Sequence, residues 1–276
     1  MKTKIQVPTF IKWAGGKNQL LGQFGKLYPR NFERYFEPFL GGGAVFFYIR
    51  KFYNTKNTFL SDINQELVNC YQTVQSNPTA VIELLKVHKS KHSSEYYYAV
   101  RRQDPNKLTQ IEAAARFIYL NKTCFNGLYR VNSKGQFNVP IGSYKSPSIL
   151  DERTIREASR LLQGISIVAE HFENILAKAD KGDFIYLDPP YLPLSKTSSC
   201  TSYTQDSFLE KDQKKLSEIF KSLDKKGCML MLSNSDHPLI RSLYQGYRIE
   251  TVKAGRTICC DPAKRGKITE LVVLNY

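Results

Sequence analysis

Short apolar runs alternate along the chain with segments whose apolar residues recur at helical spacing. The short runs predict buried strands, and they lie at 58–60, 165–168, 184–187, 228–232, 247–252 and 268–274, with a further one beginning at Tyr35. The spaced segments predict helices, at about 63–74, 81–85, 109–120, 151–162 and 206–223. This alternation predicts an α/β fold, and the shortness of the last two runs predicts an antiparallel hairpin at one edge of the sheet.

The stretch from about Asn77 to Arg160 replaces the strand pattern with helices and turns. Thr109 and Glu112 have the spacing of a capping box, which predicts the start of one of these helices. We therefore predict an inserted helical domain at 75–160, within a sheet domain formed by 1–74 and 161–276.

Asp188, Pro189, Pro190 and Tyr191 directly follow the apolar run 184–187. In open α/β sheets, ligands bind at the carboxyl ends of the strands. A carboxylate and a neighbouring proline carbonyl can both accept hydrogen bonds from one exocyclic amino group, while an aromatic ring covers the base. The tetrapeptide therefore predicts a catalytic strand end that methylates an amino group from a sulfonium donor, with no need for a metal.

A glycine-rich turn follows the first strand and precedes the apolar segment 44–49, with Phe39 before it and Gly41 to Gly43 within it. Strand, glycine turn and helix in this order cradle a nucleotide-like cofactor. Phe46 stands where a dinucleotide fingerprint has its third glycine, so a pyrophosphate is not specifically indicated. Asp62 lies about twenty residues further on, where a ribose-binding carboxylate is expected, although it could equally be the N-cap of the next helix.

Trp13 is the only tryptophan in the chain and precedes a pair of glycines, with Lys12 and Lys17 on either side. Adjacent glycines let the backbone approach a ligand, and a Trp ring can cover a planar or cationic group. A core Trp followed by a turn is the alternative interpretation.

The segment 121–144 contains Asn-Gly and Lys-Gly pairs, which predict a hairpin. Arg and Asn side chains can read guanine and adenine edges, and aromatic rings can wedge between bases. An ordinary hairpin with polar surface residues is the alternative. The residues that the hairpin would carry outward are Asn126, Arg130, Asn132, Lys134 and Tyr144.

The 40 Lys and Arg residues exceed the 25 Asp and Glu residues and give a formal net charge of +15. Such an excess favours a polyanionic partner, most commonly nucleic acid, although a merely soluble basic protein would also have it. The six cysteines form no Cys-x-x-Cys pair, so neither a zinc site nor a disulfide framework is indicated. We expect a soluble protein of the reducing cytoplasm, without signal peptide or membrane span.

Six motifs occur in an order that resembles the Dam-type (D12 class) DNA adenine-N6 methyltransferases, close to those that protect DNA in DpnII-type restriction systems. The resemblance runs from about Phe10 to Tyr276. The motifs are Lys-Trp-Ala-Gly-Gly-Lys, Glu-Pro-Phe-x-Gly-Gly-Gly, Ser-Asp-Ile-Asn, Phe-Asn-Gly-Leu-Tyr-Arg, Phe-Asn-Val-Pro and Asp-Pro-Pro-Tyr.

The resemblance implies a Rossmann-like S-adenosylmethionine-dependent sheet and methylation of an adenine that is flipped out of double-stranded DNA, in the site GATC. It implies a catalytic motif at Asp188, Pro189, Pro190 and Tyr191. The residues that it places in the S-adenosylmethionine pocket are Trp13, Lys17, Phe39, Gly41, Gly43, Asp62 and Asp188. Those that it places on DNA are Lys12, Asn126, Leu128, Arg130, Pro140 and Tyr144, with Phe125 as a wedge, and we add Asn132 from the hairpin pattern.

Two other functions compete with this one. An RNA adenine methylase would more often have Asn at the first position of the tetrapeptide, and a regulator that has lost activity would not need it intact. Cys259-Cys260-Asp261-Pro262 departs from the Asn-Gly-containing loop of many relatives, which affects DNA contacts but not the chemistry. The resemblance also implies a bacterial or phage-infected cell, and action beside a restriction endonuclease without stable association.

Overall fold

The computed structural model describes residues 5–53, 55, 57–192, 208–255 and 267–276. Cys200, the Cys259–Pro262 departure and most of the basic loop before the last strand lie outside these ranges. None of the helices in the described ranges has the length and apolar character needed to cross a membrane.

Within the described ranges, seven strands form one sheet. They are β1 (Arg34–Glu37), β2 (Asn57–Asp62), β3 (Ser166–Ala169), β4 (Phe184–Leu187), β5 (Met229–Ser235), β6 (Arg248–Gly255) and β7 (Lys267–Leu274). Their order across the sheet is β3-β2-β1-β4-β5-β7-β6. The first five are parallel to one another, and β7 runs antiparallel to both β5 and β6. The predicted α/β Rossmann-like sheet with an antiparallel C-terminal hairpin is confirmed.

Helices cover both faces of the sheet, which explains why all four residues of β4 are apolar and buried. The helices are α1 (Leu21–Phe24), α2 (Ala44–Phe52), α3 (Gln65–Ser76), α4 (Pro78–Ser90), α5 (Ser94–Arg102), α6 (Gln110–Thr123), α7 (Glu152–Leu162), α8 (Ile175–Lys178), α9 (Glu210–Lys225) and α10 (Pro238–Leu243). Side chains alternate between the faces along a strand. Tyr186 therefore joins a core with α2, α3 and α6, whereas Ile185 and Leu187 join a second core with α9 and α10.

Two predicted helix starts are wrong. Ile63 precedes α3 and is 60% exposed, although we expected it on the inner face of that helix. The reason is that Asn64 caps α3, since its side chain accepts a hydrogen bond from the Leu67 amide at 3.0 Å. The helix expected from about residue 206 begins at Glu210, and Leu209 immediately before it is 50% exposed.

The segment between β2 and β3 contains helices α3 to α7 and an irregular hairpin after α6, in place of a strand pattern, as predicted. The capping box before α6 is present, because the Glu112 amide donates to Thr109 Oγ1 and the Thr109 amide donates to Glu112 Oε2. One apolar core continues from α3 through α4 and α6. The boundary of an inserted domain at 75–160 therefore stays a prediction.

Candidate active site

Asp188 follows β4 at the carboxyl edge of the sheet and is held from two sides. Lys17 Nζ lies 2.8 Å from Asp188 Oδ2, and the two side chains are 4% and 19% exposed. Ser233 Oγ, on the adjacent strand β5, donates to Asp188 Oδ1 at 2.7 Å. Tyr186 shares a hydrogen bond of 2.8 Å with the same Ser233 hydroxyl. Asp188 is thus oriented by two side chains, Lys17 and Ser233, and Tyr186 supports it through Ser233.

Tyr191 is fixed by a strand that lies far away in the sequence. Its hydroxyl donates to Glu270 Oε2 on β7 at 2.8 Å, and Lys17 Nζ lies 4.8 Å from the centre of its ring. Burial raises the pKa of Tyr191, and the negative charge of Asp188 raises it further, so the hydroxyl stays a donor. Sequence reasoning missed Glu270; its only signal is a charged residue directly before the apolar end of a strand.

The two proline carbonyls differ in their partners. Gln213, which is fully buried on α9, donates from Nε2 to the Pro190 carbonyl at 3.0 Å. Asn234 in turn donates to Gln213 Oε1 at 3.0 Å. The Pro189 carbonyl receives no hydrogen bond from any residue in the described part of the chain. Of the two carbonyls that the sequence left open as acceptors for a base, that of Pro189 therefore remains available.

The glycine turn after β1 needs glycine for both conformation and space. Gly41 and Gly43 have φ values of 47° and 66°, which L side chains rarely adopt. A Cβ atom on Gly41 would lie 2.7 Å from Trp13 Cδ1, and one on Gly43 would lie 2.7 Å from the Tyr71 hydroxyl. The turn is therefore closely packed at both glycines, and its predicted role as a cradle for a cofactor stays a prediction.

Asp62 supports this turn rather than capping a helix. Its Oδ2 accepts from the Gly41 amide and its Oδ1 from the Asn64 amide, both at 3.0 Å. The alternative that Asp62 is the N-cap of α3 is wrong, because Asn64 has that role. Burial raises the pKa of Asp62, whereas these backbone hydrogen bonds lower it. Its predicted contact with a ribose stays a prediction.

Phe39 and Trp13 lie on either side of the turn. Phe39 stacks on Phe172, which follows β3, with ring centres 5.2 Å apart. Trp13 is half-buried, and its ring centre is 5.9 Å from that of Tyr129 and 6.4 Å from that of Phe117. A cleft of about 300 Å³ opens beside Trp13. Trp13 therefore packs on the core and also borders open space. Its interpretation as a ring that covers a ligand and its interpretation as a core residue both keep support.

The Lys12 backbone joins the Trp13 segment to the end of α6. Its amide donates to Asn121 Oδ1 and its carbonyl accepts from Asn121 Nδ2, both at 2.7 Å. Lys12 Nζ lies 4.2 Å from the centre of the Tyr144 ring. Two residues predicted to read DNA are thus neighbours. Asn121, which is buried, went unrecognised in the sequence.

The predicted hairpin is present as an irregular antiparallel excursion. Isolated bridges pair Cys124 with Ile141 and Val131 with Phe137. The turn is organised by Asn132, whose Oδ1 accepts from the amides of residues 134 and 136 at 3.0 Å. A contact of Asn132 with DNA stays a prediction.

Several of the predicted DNA-reading residues occupy the surface of this hairpin. Phe125 is 44% exposed, and Asn126 has a left-handed φ of 55°, which is uncommon outside glycine. Arg130 is exposed, and its Nε donates to Asn138 Oδ1 at 2.7 Å. Pro140 is exposed and Leu128 half-buried. The structure thus gathers these residues on one excursion, while their contacts with DNA stay predictions.

No group of three or more His, Cys, Asp or Glu side chains suited to a metal ion occurs among the described residues. Cys70, Cys124 and Cys228 are buried free thiols.

A Rossmann-like sheet, a glycine turn after its first strand and an Asp-Pro-Pro-Tyr strand end together define a methyltransferase-type site. The model of the D12 class N6 adenine-specific DNA methyltransferases matches residues 13–258. The chain belongs to this family.

Similar proteins include the type II methyltransferase M1.LlaDCHI of Lactococcus lactis subsp. cremoris, at 46% identity over 100% of this chain and 98% of that protein. The type II methyltransferase M.MjaIII of Methanocaldococcus jannaschii is 43% identical over 99% of this chain and 100% of that protein. A DNA adenine methylase of Haemophilus influenzae is 36% identical over 99% of this chain and 96% of that protein. The predicted membership of the D12 class is confirmed.

Proposed function

We propose that the protein transfers a methyl group from S-adenosylmethionine to N6 of an adenine that is flipped out of double-stranded DNA, within the site GATC. The observation that carries this proposal is the pair of acceptors at the end of β4. The Asp188 carboxylate is oriented by Ser233, and the neighbouring Pro189 carbonyl has no donor in the described ranges. Two such acceptors match the two N–H groups of an exocyclic amine.

S-adenosylmethionine supplies a methyl group on a positively charged sulfur when it is bound. Asp188 and the Pro189 carbonyl accept hydrogen bonds from the two N6–H groups and draw the nitrogen lone pair out of conjugation with the ring. Held in this way, N6 would present its lone pair to the methyl donor, and the surplus N6 proton would pass after the transfer through the hydrogen bond to Asp188 or to water. The site thereby acts through positioning and charge placement.

The residues around the glycine turn fit a nucleoside-like cofactor. A side chain on Gly41 or Gly43 would clash with Trp13 or Tyr71, so glycine lets the backbone of the turn approach the Trp13 ring closely. Asp62 is held against the turn, and Phe39 presents an aromatic ring at the same edge of the sheet. We infer that Trp13, Lys17, Phe39, Gly41, Gly43 and Asp62 bind the cofactor.

The DNA site follows from the residues around the hairpin. Lys12 and Tyr144 are in contact, and Arg130 is exposed with its guanidinium oriented by Asn138. Arg can bind guanine through two hydrogen bonds in the major groove. We infer that these residues read GATC together with Asn126, Leu128, Asn132 and Pro140, and that Phe125 enters the base stack.

The names of two relatives, which are type II methyltransferases, support a role in restriction and modification. The protein would then protect DNA from a restriction endonuclease by methylating the shared site, without forming a stable complex with it.

The decisive experiment supplies methyl-labelled S-adenosylmethionine with duplexes that contain or lack GATC, followed by mapping of the labelled base. We expect label on adenine N6 of GATC duplexes. Label on cytosine, or on RNA but not on DNA, would reject the proposal, whereas adenine label in another sequence would reject the GATC assignment alone.

A further inference from the structure

Tyr129 lies between the Trp13 segment and the first turn of α3. Its ring plane is inclined by 27° to that of Trp13, and its ring centre is 5.5 Å from that of Phe117. Its hydroxyl donates to Glu66 Oε1 at 2.9 Å. Burial raises the pKa of Tyr129, and the Glu66 carboxylate raises it further, so the hydroxyl remains protonated. The side chain is therefore held through both its ring and its hydroxyl.

Both partners of Tyr129 belong to the proposed cofactor pocket or adjoin it. Trp13 packs directly against Gly41. Glu66 lies two residues beyond Asn64, whose amide is bound by Asp62, and Asp62 also binds the Gly41 amide. The contacts thus close a circle from the glycine turn through Trp13, Tyr129 and α3 back to the turn.

The same network reaches the second arm of the hairpin. Glu66 Oε2 pairs with Arg116 on α6 at 3.1 Å, and Arg116 is 2% exposed. Arg116 also donates to the carbonyls of Val100 and Arg101 at the end of α5. Arg101 in turn donates to the Val139 carbonyl at 3.2 Å, and Tyr97 donates to the same carbonyl at 2.9 Å.

We propose that Tyr129 is a positioning residue that couples occupation of the cofactor pocket to the arrangement of the DNA-reading hairpin. The proposal rests on the proposed function, since it assumes that a cofactor binds beside Trp13 and Asp62. A ligand there restrains Trp13 and the start of α3, and hence both partners of Tyr129. Leu128 and Arg130 flank Tyr129 in the chain, so their positions are restrained before DNA arrives. The bound cofactor thereby increases the affinity for DNA. By thermodynamic linkage, bound DNA increases the affinity for the cofactor by the same factor.

The test compares Tyr129→Phe, which keeps the ring and loses the hydroxyl, with Tyr98→Phe as a matched control. Tyr98 lies on α5 with Arg101 over its ring, and Phe keeps that contact. The ligand is S-adenosylhomocysteine, its binding is measured by calorimetry, and no DNA is present. Amide hydrogen exchange is followed at Asn132 and Asn138, whose amides bond across the hairpin to the carbonyls of Gln136 and Arg130.

In the wild type and in Tyr98→Phe, saturating S-adenosylhomocysteine should slow exchange at these amides by roughly fivefold or more. In Tyr129→Phe the ligand should still bind, but the slowing should fall to less than about twofold. The fluorescence emission of Trp13, the only tryptophan, should still change in Tyr129→Phe when the ligand is added. Glu66→Gln, which keeps an acceptor oxygen, should give an intermediate effect.

Each other outcome decides against the coupling. If the wild type binds the ligand without a change in hairpin exchange, or if Tyr129→Phe responds as the wild type does, the coupling is refuted while the proposed function stands. If calorimetry shows that the wild type does not bind S-adenosylhomocysteine, the cofactor assignment fails and the coupling fails with it.

Discussion

Lys17 and Asp188 form an ion pair of 2.8 Å at the end of the central strand, although 171 positions separate them in the chain (188 − 17). Ser233 binds the other oxygen of the same carboxylate. A carboxylate oxygen can accept more than one hydrogen bond, so an adenine amino group can join these partners without displacing Ser233. The geometry makes Asp188 an oriented acceptor rather than a free base.

Asp188→Asn should lower the rate of methyl transfer by about 10²- to 10³-fold, because the amide replaces an anionic acceptor with a neutral group that also carries donors. Single-turnover kinetics with labelled donor measure the rate. Affinity for duplex DNA and the circular dichroism spectrum serve as controls and should change little. Turnover at the wild-type rate would remove Asp188 from the chemistry.

Ser233→Ala should reduce the turnover number by roughly tenfold while KM for DNA changes little, because Asp188 loses one of the two bonds that orient it. Tyr186→Phe is the matched control. It removes the hydroxyl on the other side of Ser233 but leaves the bond to Asp188, and it should keep most of the activity. Equal losses in the two variants would mean that packing, rather than carboxylate orientation, is responsible.

Arg130→Ala should lower discrimination at one base pair of the site by about 1 to 3 kcal/mol. Competition between duplexes that each differ from GATC at one position measures this. Asn138→Ala, which frees the Arg130 guanidinium without removing it, should have a smaller effect at the same base pair. If Arg130→Ala keeps the wild-type preference among these duplexes, Arg130 does not take part in reading the DNA sequence.

Glu37 should make the stability of the protein depend on pH. Burial raises its pKa well above the ordinary value, partly opposed by the hydrogen bond from Tyr35. A raised folded-state pKa means that the folded protein binds more protons than the unfolded chain between the two pKa values. Stability contributed by this group is therefore full below the unfolded pKa and is lost as pH rises through the folded pKa.

Urea unfolding of the wild type and of Glu37→Gln, from pH 4 to pH 8 or so, tests this expectation. The stability of the variant relative to the wild type should increase with pH, because the amide never ionises. Glu83→Gln, at an exposed position on α4, should follow the wild-type curve. If the free energies of unfolding of Glu37→Gln and the wild type differ by the same amount at every pH, Glu37 does not titrate in this range.

The chain determines by itself those features whose signals are local. Binary pattern and turn chemistry are sufficient to predict the α/β fold, the capping box at Thr109, the glycine turn and the hairpin after α6. The tetrapeptide at 188–191 is contiguous, so it was recognisable without knowledge of the fold. Predicted helix starts were wrong where a capping residue, rather than the spacing of apolar residues, sets the first turn. Asn64 caps α3, so Ile63 lies outside that helix.

Only the tertiary structure decided which partners complete the site. Glu270 reaches Tyr191 because β7 enters the sheet between β5 and β6, a long-range antiparallel pairing that periodicity cannot specify. The pairing of β4 with β5 brings Ser233 to Asp188, and Tyr129 meets Trp13 and Glu66 because the hairpin folds back on α3 and α6. Such contacts join residues with no local relation in the chain, and only packing of the whole core determines them.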